Sequence, residues 1–291
     1  ASGDLARLKI FPSIFAVAES GNLPNDYWII GYARSDFDQA SFREIFETSV
    51  KSHYEKEFWN EKREKLLQQM LKQVSYFQGQ YDSEESYAAY AEYRNQLTNN
   101  KFDQEVFYFS LPPTVYVPVV QQVAKIPNLE RKKVKLVMEK PFGTDEESAT
   151  QLFHVIGERF NEDQVYLIDH YLGKRSVRSI LAMRHNNRLL NIMLKGREVD
   201  NIQITALEPF GVENRLGYFD KVGTFRDMLQ SHLLQVMALI SMSIPIIRDA
   251  KSFRQEKEAI LSALHFKERE GNVSLGQYEG YCNDDKEKCN L

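Results

Sequence analysis

Val165-Tyr166-Leu167-Ile168-Asp169-His170-Tyr171-Leu172-Gly173-Lys174 is the stretch on which the reading of this chain turns. The apolar run Val165 to Ile168 reads as a strand that delivers Asp169, His170 and Tyr171 at its carboxyl end. Gly173 and Lys174 follow where a new helix begins. In an open α/β sheet the carboxyl edge of the strands is where ligands sit, and an acid, an imidazole, a phenol and a cation so close together suit a sugar phosphate. Local chemistry leaves a second reading open, a buried Asp-His pair in a strand-to-helix turn beside a solvated lysine, because perturbed groups serve structure as well as catalysis.

Strand-like and helix-like runs alternate on the amino-terminal side of this stretch. Tyr27 to Arg34 is a β run ending in a cation, and Phe42 to Gln73 is charged and helical in pattern, two helices covering a sheet. Val74 to Phe77 reads as a short strand, Ser83 to Leu97 as a helix with Ser83 as its N-cap, and Val106 to Leu111 as a strand stopped by Pro112 and Pro113, which cannot donate to a ladder. Val134 to Met138 is a further strand and Glu146 to Phe160 a further helix. Such alternation predicts a parallel, doubly wound, Rossmann-like sheet. After Lys174 the pattern changes to a helix over Ser176 to Arg188, an alternating strand over Asn201 to Leu207, a turn at Glu208-Pro209-Phe210-Gly211 and an apolar helix over Met228 to Met242. The expected domains are 1–175 and 176–291, joined near residues 172 to 190 without a Gly/Ser or Pro-rich linker, so they are expected to pack closely around an active-site cleft.

With 291 residues, 43% hydrophobic and 12% aromatic, the chain can bury a sizeable core. A net charge of -4 offers no broad basic field to nucleic acid or anionic membrane. No run approaches the roughly 18 to 20 apolar residues that cross a bilayer, and no signal peptide is evident, so a cytoplasmic location is expected. Cys282 and Cys289 are spaced unlike a zinc pair and are expected to be free thiols, with a disulfide between them as the alternative, and no metal site is expected.

Three further positions carry chemistry. Ala1-Ser2-Gly3-Asp4-Leu5-Ala6 opens an amphipathic run that reads as a helix start without its strand, where backbone amides could meet a pyrophosphate or simply form a cap. Arg34, at the end of a second strand, would accommodate the 2′-phosphate of NADP where an acid would mark NAD; otherwise it is solvated. Asp227 and His232 are five residues apart, about 500° around an α-helix, and so do not closely share a face. A histidine on an apolar helix is often a satisfied core residue.

SGDLA (2–6), GYARS (31–35), LPPTVY (111–116), EKPFG (139–143), IDHYLGK (168–174), EPFG (208–211) and RDMLQSHLLQ (226–235) together resemble, in order, the segments of glucose-6-phosphate dehydrogenases. The resemblance runs from Ala1 to about Tyr281. Leu167 stands where that family usually has Arg, Ser231 where Asn is usual, and Arg184 to Arg197 matches poorly. The resemblance implies oxidation of glucose 6-phosphate to 6-phosphogluconolactone with reduction of NADP, at the entry to the pentose phosphate pathway. It implies His232 as general base oriented by Asp169, the sugar phosphate held by His170, Tyr171 and Lys174, its hydroxyls by Glu208 and Asp227, and Lys140 bridging sugar and cofactor. Ser2, Gly3, Asp4, Leu5, Arg34, Pro112, Pro113 and Tyr116 would line the cofactor. It further implies an α+β second domain with a largely antiparallel sheet, incomplete here, and a homodimer or homotetramer. By the same comparison the natural chain is expected to begin earlier and to continue past Leu291. Two alternatives are a broader hexose-6-phosphate dehydrogenase and a non-catalytic NADP-binding subunit.

Overall fold

A computed structural model of the chain describes residues 1–99, 101–127, 129–130, 133–143, 145–209, 211–212, 216–247, 249–265 and 273–281, with backbone alone at 218 and 221. Phe210, Cys282 and Cys289 lie outside the described residues. The chain forms two compact units, Ala1–Ile168 and Asp169–Leu291.

The first unit begins with a π-helical stretch, Ala6–Ile10, that runs into α1 (Phe11–Glu19). Strand β1 (Ile29–Ala33) is followed by α2 (Gln39–His53) and α3 (Glu61–Leu71), then by β2 (Val74–Gln78). Each helix starts where a short polar side chain takes an orphan amide: Asp38 accepts from Ser41 N at 2.7 Å and Asn60 from Arg63 N at 3.0 Å. Both helices bury an apolar stripe, Phe42, Phe46 and Val50 on one, Leu67 and Met70 on the other. Gly31 is required here, because a Cβ on it would run into the Phe42 ring.

The second half of the unit carries α4 (Glu84–Thr98), β3 (Glu105–Phe109), α5 (Tyr116–Val123), β4 (Val134–Glu139), α6 (Glu146–Gly157) and β5 (Val165–Ile168). Ser83 caps α4 as its sequence predicts, accepting from Ser86 N at 3.1 Å. β1 pairs with β2, and β3, β4 and β5 pair in that order, every pairing parallel. Along β4 the alternate residues Val134, Leu136 and Met138 are fully buried, the period of two that a strand imposes on its faces. They pack against Val119, Val120, Leu152 and Ile156 of α5 and α6, with Ile30, Tyr32 and Phe77 from the first sheet on the same cluster. A buried network ties α4 to β3: Arg94 Nη1 donates to Glu105 Oε2 at 2.9 Å and Tyr90 Oη to Glu105 Oε1 at 2.7 Å.

In the second unit lie α7 (His170–Gly173), α8 (Arg175–Asn186), α9 (Arg188–Met193), α10 (Leu216–Thr224), a π-helical stretch Phe225–Leu233, α11 (Leu234–Ser241) and α12 (Ala250–Ser262). Val177, Leu239 and Met242 form its core with Leu172, Leu181, Val236, Phe253 and Ile260 against them.

The parallel amino-terminal strands match the expected Rossmann-like class, but the antiparallel sheet expected of the second domain is corrected. All strand pairings are parallel and, among the described residues, every strand ends by Ile168. Asn201 to Leu207, expected as a strand, is irregular. Its alternation makes one side apolar, but a strand also needs partners for its backbone N–H and C=O groups, and no described segment pairs with it. Ile202 and Leu207 are accordingly exposed.

Candidate active site

The carboxyl end of β5 places Asp169 as the N-cap of α7. Its backbone is extended (φ -117°, ψ 108°) and its Oδ1 accepts from Tyr171 N at 2.9 Å. The same oxygen lies 2.5 Å from Nδ1 of His232. An ionised carboxylate can only accept, so Nδ1–H donates and Nε2 carries the lone pair, the tautomer a general base needs. His232 is 1% exposed, and three side chains fix its plane. The Tyr171 ring stacks on it at 4.3 Å and 13°, the His170 ring meets it edge-on at 4.4 Å, and Asp169 holds its Nδ1 side. On Tyr171 sits the Lys174 ammonium, 3.5 Å from the ring centroid.

The backbone beneath His232 is π-helical from Phe225 to Leu233. That changes the expected relation of Asp227 to His232: i→i+5 hydrogen bonding sets residue 232 over residue 227, whereas α-helical geometry would turn them apart. Gly223 precedes the stretch with φ 70° and ψ 164°, a conformation open essentially to glycine alone. Downstream, Arg184 clamps the end of α11, donating from Nη1 to Leu239 O and from Nη2 to Met242 O, both at 2.7 Å. Neither device was marked by a motif; Gly223, between two helical runs, is the signal that could have pointed to a break.

Asp169, His170 and His232 present metal-ligand types of atom within 4.8 Å of one another. Two ligands on a tetrahedral zinc ion stand about 3.3 Å apart, given bonds of about 2.0 Å. The 2.5 Å separation of Asp169 from His232 is that of a shared proton instead.

The structure therefore brings Asp169, His170, Tyr171, Lys174 and His232 together, with Asp227 half-buried on the same helical stretch as the base. Glu208 is exposed on the irregular segment before residue 210, and among the described residues no contact joins it to them. One charged group without a motif, Lys257 of α12, is half-buried, and burial lowers its pKa while the Asp169 carboxylate opposes that shift.

The remaining expected positions lie in the first unit. Ser2 to Leu5 stand at the start of the first helical run, with Gly3, Asp4 and Leu5 exposed and open space beside Gly3. Arg34 is exposed just past β1, its guanidinium 5.2 Å from the Tyr81 ring centroid. Pro112 and Pro113 lead into a 3₁₀ turn, Pro113–Val115. Tyr116 is buried, with its hydroxyl donating to Glu139 O at 2.8 Å, so its side chain anchors the end of β4 next to Lys140. An exposed helix start and a nearby exposed guanidinium fit a dinucleotide with an extra phosphate.

Parallel strands with covering helices, followed by a helical unit that holds a carboxylate-oriented histidine, define an α/β protein of the dinucleotide-binding class. Comparison with known proteins makes this specific. Residues 1–179 match the family described as "Glucose-6-phosphate dehydrogenase, NAD binding domain" and residues 181–290 the one described as "Glucose-6-phosphate dehydrogenase, C-terminal domain". The chain is 35% identical over 281 residues to chloroplastic glucose-6-phosphate 1-dehydrogenase 1 of Arabidopsis thaliana, covering 97% of this chain and 48% of that protein. It is 38% identical over 284 residues to the glucose-6-phosphate 1-dehydrogenase of Saccharomyces cerevisiae, covering 96% and 55%. A solved glucose-6-phosphate dehydrogenase in complex with glucose 6-phosphate superposes with a TM-score of 0.81 at 37% identity, over 90% of this chain and 54% of that one. The enzyme from Mycobacterium avium does so at 0.83 and 30% identity, over 97% and 60%. The chain belongs to the glucose-6-phosphate dehydrogenase family. It spans about half the length of the relatives it matches.

Proposed function

We propose that this chain carries out the oxidation of glucose 6-phosphate to 6-phosphoglucono-1,5-lactone, with NADP reduced. The observation that carries this reading is the buried 2.5 Å Asp169–His232 hydrogen bond beneath the Tyr171 ring. Oxidising a hemiacetal carbon requires removal of the hydroxyl proton as the C1 hydride departs. His232 Nε2 takes that proton, while the O1–C1 bond becomes a carbonyl. NADP, when bound, supplies the hydride acceptor. Asp169 keeps Nδ1 protonated before the step and balances the imidazolium after it, as the acid does in a triad. A base so placed is worth about 10² to 10⁴ in rate.

His170, Tyr171 and Lys174 are assigned to the phosphate, Glu208 and Asp227 to the sugar hydroxyls. In the first unit, Ser2 to Leu5 offer amides to the pyrophosphate, Arg34 offers the cation that favours NADP over NAD, and Pro112, Pro113 and Lys140 complete the cofactor half, with Tyr116 bracing Lys140. Self-association as a homodimer or homotetramer and a cytoplasmic location belong to the same reading, on the strength of family resemblance.

The test is NADPH formation, followed by absorbance in the full chain and in its His232→Asn variant. Turnover is expected to fall about 10²- to 10⁴-fold while glucose 6-phosphate binding, measured by calorimetry, changes little. Undiminished turnover in the variant would sink the assignment.

A further inference from the structure

Nothing in the composition of Phe225–Leu233 asks for a π-helix. Arg226, Met228, Leu229, Gln230 and Leu233 are all strong α-helix formers, and a π register, in which each N–H reaches back five residues, is rare and mostly confined to single turns. Here it runs for nine residues, and Leu234 N still donates to Leu229 O at its end. Something must hold it against the α alternative. The hydroxyl of Ser231 is placed to do so, because its Oγ donates to Asp227 O at 2.7 Å. That bond joins residue 231 to the carbonyl four residues back, the pairing its own N–H would make in an α-helix. In the π register that N–H passes to Arg226 O, and Asp227 O receives the N–H of His232. A carbonyl oxygen carries two lone pairs. On Asp227 O one is taken by the backbone of His232 and the other by the Ser231 side chain, so the place of an α-type bond is already filled. Serines and threonines that bond back to the i−4 carbonyl weaken and bend α-helices in the same way.

We infer that Ser231 is a positioning residue for the reaction: its hydroxyl, by occupying Asp227 O, holds the π-helical register that carries His232 to Asp169. This rests on the reading of His232 as the base. Ser231 acts through the backbone of its neighbour, and the consequence is a matter of direction. In an α-helix residues 227 and 232 lie about 140° apart around the axis, whereas the wider π turn sets one over the other. The imidazole leaves the helix where its Nδ1 meets Asp169 Oδ1 at 2.5 Å and its plane meets the Tyr171 ring at 4.3 Å. Both contacts depend on the direction in which residue 232 departs. A slip of this stretch to the α register would turn the ring away from its carboxylate and separate the base from Asp227, which is assigned to the sugar hydroxyls.

The experiment compares the full chain with its Ser231→Ala, Ser231→Thr and His232→Asn variants by initial-rate kinetics, thermal unfolding and proton NMR. The low-field resonance of the Nδ1–H shared with Asp169, identified by its absence from His232→Asn, reads the geometry of the base directly. Alanine is the better helix former, so Ser231→Ala should unfold at the native temperature or above it. Its kcat should nevertheless fall by about twofold to tenfold, the scale of one hydrogen bond, with KM for glucose 6-phosphate changing less and the resonance moving upfield or disappearing. Threonine can make the same back-bond, so Ser231→Thr should keep the resonance and most of the turnover. A hydroxyl with no part in the register would leave kcat and the resonance of Ser231→Ala as they are in the native chain, and that result would overturn the inference. A Ser231→Ala chain that loses stability along with activity would do the same, as would a Thr variant that behaves like Ala. Turnover surviving in His232→Asn would overturn the underlying reading of the base instead, and the resonance of Ser231→Ala would still decide whether Ser231 holds the register.

Discussion

Replacing Asp169 by Asn separates the two jobs that one oxygen performs. Asn caps a helix about as well as Asp, so the acceptor for Tyr171 N at 2.9 Å survives, and the fold should lose less than about 1 kcal/mol. The charge opposite the imidazolium does not survive. A hydrogen bond to an ionised partner is about twice as strong as a neutral one, and stripping the partner from a charge in a buried pair costs about 3 to 5 kcal/mol. His232 is 1% exposed, so water cannot replace the carboxylate. At about 1.4 kcal/mol per decade, kcat is expected to fall by about 10² to 10⁴, with KM for glucose 6-phosphate within a few-fold. Asp169→Ala should lose the same activity and also the cap, lowering stability by about 1 kcal/mol more. The assay is initial-rate NADPH formation by the full chain, with thermal unfolding of each variant alongside. Retention of more than about a tenth of native kcat by a folded Asp169→Asn protein would refute the view that this carboxylate orients and balances the base.

The Tyr171 ring stacks on His232 and its hydroxyl is assigned to the phosphate. Tyr171→Phe should therefore raise KM with kcat nearly intact, whereas Tyr171→Leu should also cut kcat, by up to about tenfold on the scale of a stacking interaction of about 0.5 to 1.5 kcal/mol; equal kcat in the two variants would argue against the stack. In the first unit, Arg94→Met leaves Glu105 buried without its cation and should destabilise the chain by about 3 kcal/mol at neutral pH, measured by urea unfolding. Burial already holds the Glu105 carboxyl above the usual carboxylate range. A folded pKa above the unfolded one gives stability that is present below the ordinary value near 4.5 and lost as pH rises through the raised value. The Arg94→Met deficit should accordingly widen as the pH rises above the ordinary carboxylate value, and a deficit independent of pH would count against this origin.

Much of the first unit was written in short windows of sequence. The alternation of Val134, Leu136 and Met138 with less buried neighbours, the Ser83 cap and the helices between Phe42 and Gln73 depend on neighbours a few residues away. Local propensity and hydrogen bonding decide them. So did the cluster from Asp169 to Lys174, which one strand-to-helix turn assembles. The Asn201 to Leu207 run shows the limit of such windows, because alternation specifies a face but not the partner that completes a ladder. The pairing of Asp169 with His232 spans 63 residues of chain, and nothing local could orient that imidazole. Its Nδ1 tautomer, the Tyr171 stack and the π-helical register that lifts residue 232 over 227 all follow from how helices pack in the second unit. Sequence by itself determined which side chains were available for acid–base work and which strands run parallel. Tertiary packing decided which of those side chains meet, because distances between remote residues are set by the burial of apolar stripes and not by the spacing of the letters.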